Sequence, residues 1–302
     1  MRPFVVRLRY HALMKAFQGR TAFVTGGASG IGLGIAETFV NVGMNVVLAD
    51  LRADHIESAL AKFQALGRGS SVHAIRLDVT DRAAMAAAAD ESERRFGRVH
   101  VLVNNAGVGI EGPLDKATYA DWDFGLGVNL GGVINGLQTF LPRIRAHREG
   151  GYIVNTASLA ALVTMPARMV MYVTGKAAVI ALSEAIRTEL LPEGIGVTVL
   201  CPGPVKSNIH ELVRNRPERF KIESAFQQAA SDLAQRKVSD LWMDPLEVGA
   251  KVLKAMQNDE LYVITHGEWR AAAEARFQAM LTAMPTKVNP DLIASLRPPT
   301  KG

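Results

Sequence analysis

The chain has 302 residues and a formal net charge of +5; 48% of its residues are hydrophobic and 21% are charged. This composition is that of a globular protein with a sizeable core and excludes a disordered chain. With the single cysteine Cys201, an absence of apolar runs of ~18 residues and dispersed basic charges, we expect a cytoplasmic protein without a disulfide, a membrane partner or a nucleic-acid partner.

Short apolar segments alternate with helical patterns along most of the chain. The predicted strands are residues 21–25, 45–50, 72–79, 99–103, 151–156, 196–200 and 261–264. The predicted helices are residues 31–42, 54–66, 81–96, 119–147 and 170–191. Because this alternation is typical of a parallel sheet covered on both faces, we predict a single Rossmann-type, doubly wound α/β domain of about seven strands.

The length fits one domain with an extension at each end. We predict an N-terminal extension at residues 1–16, the Rossmann-type domain at residues 17–284 and a C-terminal tail at residues 285–302. Residues 204–244 are polar, helical in parts and without a predicted strand. We interpret them as a helical insertion that binds the substrate.

A glycine-rich turn joins the first predicted strand to the first predicted helix. Gly26, Gly30 and Gly32 have the spacing G-x-x-x-G-x-G. Glycines let the backbone approach a pyrophosphate, and the N-terminus of the helix offers free N–H groups. We therefore predict a dinucleotide site that includes Gly26, Ser29, Gly30, Ile31 and Gly32.

The second predicted strand ends in an acid, Asp50. A carboxylate there can accept hydrogen bonds from both hydroxyls of the adenosine ribose, and it repels a 2′-phosphate. Ser29 and Leu51 are not basic, whereas Arg52 is a cation that could meet a phosphate. We expect NAD as the cofactor, with NADP as the less favoured alternative.

Several short motifs follow one another along residues 17–265. They are TGGASGIG at 25–32, Asp78-Val79, Asn104-Asn105-Ala106-Gly107, Asn129, Ser158, Tyr172-x-x-x-Lys176 and Pro202-Gly203. With these motifs the chain resembles the short-chain dehydrogenase/reductase family. The resemblance implies an NAD(P)-dependent oxidoreductase that interconverts a secondary alcohol and a ketone, assembled as a homodimer or homotetramer.

Tyr172 and Lys176 are four residues apart on a predicted helix and therefore share a face. A free tyrosine has a pKa of about 10 and is a poor base at neutral pH. We expect the ammonium group of Lys176 to lower the pKa of Tyr172. Tyr172 can then remove the proton from an alcohol or return it to a ketone.

The resemblance assigns roles to the other motif residues. It implies that Lys176 holds the nicotinamide ribose, that Ser158 hydrogen-bonds the substrate oxygen and that Asn129 supports a water between Lys176 and solvent. Further cofactor contacts are implied for Asp78, Val79, Asn105, Ala106, Gly107, Tyr172, Pro202, Gly203 and Val205. The family usually has a threonine a few residues after Pro-Gly, and Ser207 is the candidate in its place.

Residues 207–213 and 261–280 look similar to short-chain dehydrogenases that oxidise benzylic carbinols in lignin-derived aryl ethers. This similarity suggests a bulky apolar or aromatic alcohol as the substrate. The candidates for lining such a pocket are Met165, Met169, Met171, Leu212 and Trp242. Packing in the core or in a lid is the other interpretation of these side chains.

Other functions stay open at this point. One alternative is a 3-oxoacyl-carrier-protein reductase that uses NADP, and Asp50 argues against this alternative because its carboxylate repels a 2′-phosphate. A catalytically idle dinucleotide-binding protein would need neither Tyr172 nor Lys176, and a nucleic-acid binder is suggested by net charge alone. The histidines have no metal-ligand spacing, so we expect no metal site, and we interpret Cys201 as a buried structural thiol.

Overall fold

Seven strands form one parallel sheet in a computed structural model that describes residues 16–209, 216–221, 226–228 and 238–295. The strands are β1 (Thr21–Thr25), β2 (Asn45–Asp50), β3 (Val72–Arg76), β4 (Val101–Asn104), β5 (Gly151–Thr156), β6 (Ile195–Cys201) and β7 (Tyr262–Ile264). Their order across the sheet is β3-β2-β1-β4-β5-β6-β7. This is the predicted Rossmann-type architecture.

Helices cover both faces of the sheet. They are α1 (Gly30–Asn41), α2 (Ala53–Ala65), α3 (Arg82–Phe96), α4 (Tyr119–Leu126), α5 (Gly132–His147), α6 (Val170–Leu190), α7 (Pro245–Asn258), α8 (Arg270–Ala283) and α9 (Pro290–Ser295). Side chains of α1, α2 and α7 pack around Val24, and those of α3, α5 and α6 pack around Phe23. Because neighbouring strand residues point to opposite faces, β1 contributes to two core layers.

The strand order reverses next to β1, which lies between β2 and β4. In a parallel sheet such a reversal leaves a crevice at the carboxyl ends of the strands, since the connections leave on opposite faces. The segments that carry the sequence motifs follow β1, β2, β4, β5 and β6 directly. The topology therefore gathers them at one edge of the sheet.

Some element boundaries differ from the predictions. β3 ends at Arg76 rather than at residue 79, because the carboxylate of Asp78 accepts hydrogen bonds from the backbone and the hydroxyl of Thr80 and turns the chain. The predicted helix at 119–147 contains a π-helical turn at Gly127–Gly131. The segment predicted as a tail contains α9, and the domain boundaries themselves stay predictions.

Helix α6 needs a correction to the statement on apolar runs. Residues Ala167–Glu193 are long and apolar enough to cross a membrane by length and composition. In this fold Val179 and Ser183 of α6 are buried, and the helix packs against β5 and β6. A helix that packs in the core of a domain has the same length and apolar composition as a membrane span, so these two criteria do not distinguish them.

Candidate active site

A cleft that is open to solvent lies at the carboxyl ends of the central strands. Most of the residues predicted to bind the cofactor line it: Gly26, Ser29, Gly30, Ile31, Asp50, Leu51, Asp78, Val79, Asn105, Ala106, Gly107, Tyr172, Lys176 and Pro202. The remaining three, Gly32, Gly203 and Val205, lie behind this lining and pack against neighbouring backbone or side chains. The structure thus brings distant motifs into one cavity.

The glycine-rich turn is built for close backbone approach. Gly26 has a φ of +61°, a conformation that favours glycine. A Cβ on Gly32 would lie 2.0 Å from the carbonyl oxygen of Gly26, so no other residue fits there. Ser29 makes no side-chain cap on α1, which leaves the first N–H groups of the helix for an anion. This cradle fits a pyrophosphate.

Asp50 lies at the end of β2 and is 7% exposed. Its Oδ2 accepts a hydrogen bond from the backbone N–H of Ala28 (3.2 Å), and its Oδ1 accepts one from the backbone N–H of Arg52 (3.1 Å). Two oriented backbone donors hold the carboxylate at the cleft, where it can still accept further hydrogen bonds. This geometry fits the hydroxyls of a ribose.

Arg52, the cation next to Asp50, is engaged by Asp54. Its Nε donates to Asp54 Oδ1 (2.8 Å), and its Nη2 donates to Asp54 Oδ2. His55 lines the cleft beside it, and Asn208 Nδ2 lies 3.3 Å from His55 Nε2. The segment at Asn208 therefore reaches across the cleft to α2.

Asp78 is held by groups that the sequence analysis did not identify. Its Oδ1 accepts hydrogen bonds from the backbone N–H (2.9 Å) and the hydroxyl (2.7 Å) of Thr80, and its Oδ2 accepts one from Arg219 Nη2 (2.7 Å). Burial raises the pKa of Asp78, but these hydrogen bonds outweigh burial and hold the pKa below its usual value. Arg219 belongs to the insertion, and no local sequence signal indicated this contact.

Two threonines tie the ends of three strands together. The hydroxyl of Thr25 accepts hydrogen bonds from the backbone N–H groups of Asn105 (2.9 Å) and Ala106 (3.1 Å). The hydroxyl of Thr156 donates to Asn105 Oδ1 (3.3 Å). The sequence analysis missed both residues, although Thr25 opens the glycine motif. Their bonds fix the Asn105–Gly107 segment at the floor of the cleft.

Tyr172 and Ser158 meet at the deep end of the cleft. Tyr172 is 8% exposed. Burial raises the pKa of Tyr172 above its ordinary value, and the nearby hydroxyl of Ser158 acts in the opposite direction. The pKa of Tyr172 is raised overall, against the expected lowering by Lys176, whose Nζ lies 5.9 Å from the centre of the tyrosine ring. Burial dominates over that distant charge.

Lys176 is buried with its ammonium group hydrogen-bonded to the carbonyl oxygen of Thr156 (2.8 Å). Burial lowers the pKa of Lys176 to about 8, since desolvation disfavours the charged form. A Cβ on Gly107 would lie 3.1 Å from Lys176 Nζ and 3.0 Å from Asn129 Oδ1. The absence of a side chain at Gly107 therefore lets the loop pass close to both residues.

Asn129 lies in the π-helical turn and is fully buried. Its Oδ1 accepts a hydrogen bond from the backbone N–H of Val108, and its Nδ2 donates to the carbonyl oxygen of Val108, both at 3.0 Å. π-Helical turns are frequent at functional sites. Here the turn places the Asn129 amide where it fixes the loop above Lys176.

The segment that follows Ser158 is hydrogen-bonded to the segments that follow β6 and β7. The backbone N–H of Leu159 donates to the carbonyl oxygen of Pro202 (3.0 Å), and the backbone N–H of Gly203 donates to the hydroxyl of Thr265 (3.0 Å). Cys201, next in line, is fully buried, and burial raises its pKa to about 12. Its thiol is therefore a packed core group, as predicted.

For the candidate lining of a bulky substrate pocket, the structure favours the alternative of packing in the core. Met171 is 3% exposed and packs in the core, and Met165 and Met169 pack against the same core. Trp242 does not line the cleft, and Leu212 lies outside the described residues. Met171 is a neighbour of Tyr172 on α6, and neighbouring helix residues point in different directions. Val128, Ile209 and Pro217 line the cleft instead.

No group of three or more histidine, cysteine, aspartate or glutamate side chains that could hold a metal occurs within the described ranges. The polar groups of the cleft are a carboxylate at one end, backbone N–H groups in the middle, and two hydroxyls with an ammonium group at the deep end. This series matches the ribose, the pyrophosphate and the reactive ring of a nicotinamide dinucleotide.

Comparison with known proteins gives matches of three kinds: a family model, relatives in sequence and solved structures. A family model described as short chain dehydrogenase matches residues 20–218. The chain is 40% identical over 280 residues to the C alpha-dehydrogenase of Sphingobium sp. strain SYK-6, covering 92% of this chain and 91% of the relative.

Two crystal structures are similar over most of the chain. A short chain dehydrogenase/reductase from Burkholderia phymatum in complex with NAD has a TM-score of 0.83 and 34% identity, covering 91% of this chain and 99% of that one. LigD from Sphingobium sp. strain SYK-6 in its apo form has a TM-score of 0.74 and 37% identity, covering 90% and 100%.

Proposed function

This chain belongs to the short-chain dehydrogenase family and is an NAD(P)-dependent oxidoreductase acting on CH–OH groups, and on that premise we propose that it oxidises a bulky, apolar or aromatic secondary alcohol with NAD. The observation that carries the proposal is the proximity of the Tyr172 and Ser158 side chains at the deep end of a cleft that suits a dinucleotide. It puts an acid/base group and a positioning group side by side.

The proposed chemistry gives each polar side chain one task. Ser158 hydrogen-bonds the substrate oxygen and holds it beside Tyr172. In its deprotonated form Tyr172 takes the proton from the alcohol at its phenolate oxygen, and in the reverse direction the phenol gives this proton to the ketone. The residues of the cleft would hold a nicotinamide dinucleotide, which would supply the hydride chemistry at the carbinol carbon.

Lys176 and Asn129 support this acid/base pair. With a pKa of about 8, Lys176 exchanges a proton near physiological pH, so it can resupply or relieve Tyr172. We assign to it the nicotinamide ribose hydroxyls as well. Asn129 holds the Gly107–Val108 backbone over Lys176 and supports the proposed water that connects Lys176 to solvent.

The remaining motif residues hold the cofactor in this proposal. Gly26, Ser29, Gly30, Ile31 and Gly32 receive the pyrophosphate, and Asp78, Val79 and Asn105–Gly107 flank the adenosine half. Pro202, Gly203 and Val205 support the nicotinamide end. The hydrogen-bonded carboxylate of Asp50 favours NAD, because it accepts from ribose hydroxyls and repels a 2′-phosphate.

The substrate class rests on two observations. The relative with 40% identity is named a C alpha-dehydrogenase, and residues 207–213 and 261–280 look similar to dehydrogenases of benzylic carbinols. The apolar side chains of Val108, Ile209 and Pro217 at the cleft suit an aromatic ligand.

The test is turnover by the purified protein on three secondary alcohols: an aryl carbinol, a short aliphatic alcohol and a 3-hydroxyacyl thioester, each with NAD and with NADP. We expect reduced nicotinamide from the aryl carbinol with NAD. Turnover of the thioester with NADP would contradict the proposal and favour a carrier-protein reductase. Tight NAD binding without turnover of any alcohol would favour a catalytically idle binder.

A further inference from the structure

The ribose end of the cleft contains a second acid beside Asp50. Asp54 lies in the first turn of α2, and its side chain is 60% exposed. It pairs with Arg52, whose side chain is 13% exposed and lines the cleft. Both oxygens of Asp54 take part, one with Nε and one with Nη2 of the guanidinium group. This bidentate geometry is more specific than a single contact.

We propose that Asp54 determines the cofactor selectivity of this enzyme by holding the guanidinium group of Arg52 away from a 2′-phosphate. The inference deepens the NAD preference proposed above and rests on it. Arginine at such a place is the side chain best suited to bind a phosphate in two-pronged fashion. The bidentate pair commits two of its donor nitrogens to Asp54 instead.

The surroundings of the pair support this role. The backbone N–H of Arg52 donates to Asp50 Oδ1 (3.1 Å). The backbone of Arg52 therefore lies against the carboxylate that we assign to the ribose. Its guanidinium group turns along α2 to Asp54 rather than across to Asp50. The N-terminus of α2 also stabilises the Asp54 carboxylate in this position. His55 and Arg76 are the neighbouring basic groups, and they contact Asn208 and the carbonyl oxygen of Leu51.

The experiment measures equilibrium dissociation constants by calorimetry with NAD, NADP, 5′-AMP and 2′,5′-ADP. It compares the native protein with Asp54→Asn, Asp54→Glu, Arg52→Gln and the double variant Arg52→Gln/Asp54→Asn. Glu274→Gln is the matched control, because Glu274 also pairs with an arginine on an exposed helix (2.7 Å to Arg270) and neither residue lines the cleft. Because no substrate is added, the calorimetry with the four nucleotides measures binding without any catalytic step.

We expect Asp54→Asn to tighten binding of NADP and of 2′,5′-ADP about tenfold while changing the affinity for NAD and 5′-AMP less than about twofold. Asp54→Glu and Glu274→Gln should keep the native selectivity. In the Arg52→Gln background the same substitution should change NADP affinity less than about threefold. The gain should shrink at high salt, because it is electrostatic.

Two outcomes overturn the inference. Asp54→Asn without an effect on NADP affinity contradicts a role in selectivity, and an equal gain with Arg52→Gln present contradicts the action through Arg52. A native protein that binds NADP as tightly as NAD contradicts the proposed function instead. Since Asp54 is exposed, a failure to fold is not expected, and Asp54→Glu provides the second variant.

Discussion

Lys176 places an ammonium group at a site where the residue is 2% exposed. Two opposing effects act there: burial disfavours the charge, and the carbonyl oxygen of Thr156 stabilises it. The pKa falls from 10.5 to about 8, so burial dominates. The buried ammonium group therefore lowers the free energy of unfolding, while it provides a proton donor near Tyr172; such a trade-off is common at functional sites.

This cost predicts how stability depends on pH. Between pH 8 and pH 10.5 the folded state has lost the Lys176 proton while the unfolded chain still binds it, so the free energy of unfolding rises with pH in this window. Over the full shift the gain is about 3 kcal/mol. Lys176→Met removes this titration, and urea unfolding at pH 7.5 and pH 10 measures the difference.

In that experiment the advantage of Lys176→Met over the native protein should decrease as the pH rises. An unchanged difference between the two pH values would contradict the buried, titrating Lys176. The variant also serves as a check on function, since we expect it to lose turnover even where it gains stability.

At the scale of elements, the insertion is fastened to the core by a buried ion pair. Arg216 Nη2 donates to Asp121 Oδ1 (2.6 Å), and their side chains are 4% and 0% exposed. Arg216 Nε also donates to the carbonyl oxygen of Phe220 (2.8 Å). The pair joins residues 216–221 to α4, next to Pro217 in the cleft lining.

We expect Arg216→Leu to lower the free energy of unfolding by about 3 kcal/mol, because it leaves the Asp121 carboxylate buried without a cation beside it. Lys221→Gln is the control: it breaks the exposed pair with Glu218 (2.8 Å) in the same segment and should cost less than about 1 kcal/mol. Urea unfolding of the two variants measures both values. Equal losses would contradict the anchoring role of Arg216.

The elements that the sequence predicted best are those with local signals. Apolar runs identified the seven strands, and the motif spacing identified the cleft lining from Gly26 to Pro202. The pair of Arg216 with Asp121 and that of Arg219 with Asp78 have no such signal, since each joins residues far apart in the chain. Met171 packs in the core, which is one of the two interpretations left open, because the pattern did not show which way it points from α6.

At the scale of the whole molecule, one edge of the sheet exposes apolar surface. Tyr262 and Ile264 of the edge strand β7 are 45% and 51% exposed, and Phe277 and Met280 of α8 are 47% and 52% exposed. An open sheet edge with apolar side chains invites pairing with another chain. This surface is compatible with the homodimer or homotetramer that the family resemblance implies, and we propose such an assembly.

Light scattering coupled to size-exclusion chromatography tests the assembly. We expect the native protein at the mass of a dimer or tetramer and Ile264→Lys at a smaller mass, because a charge at the paired edge must be desolvated. Leu66→Lys, at a residue 52% exposed near the end of α2, should leave the mass unchanged. A native monomer would contradict the proposal.

The central claim is that Tyr172 is the acid/base group of an NAD-dependent alcohol dehydrogenase. Its most direct test is the rate of NAD reduction by an aryl carbinol, measured for the native protein and for Tyr172→Phe together with NAD affinity. We expect the variant to lose about 10²- to 10⁴-fold in kcat with NAD affinity nearly unchanged. Native turnover in the variant would contradict the account.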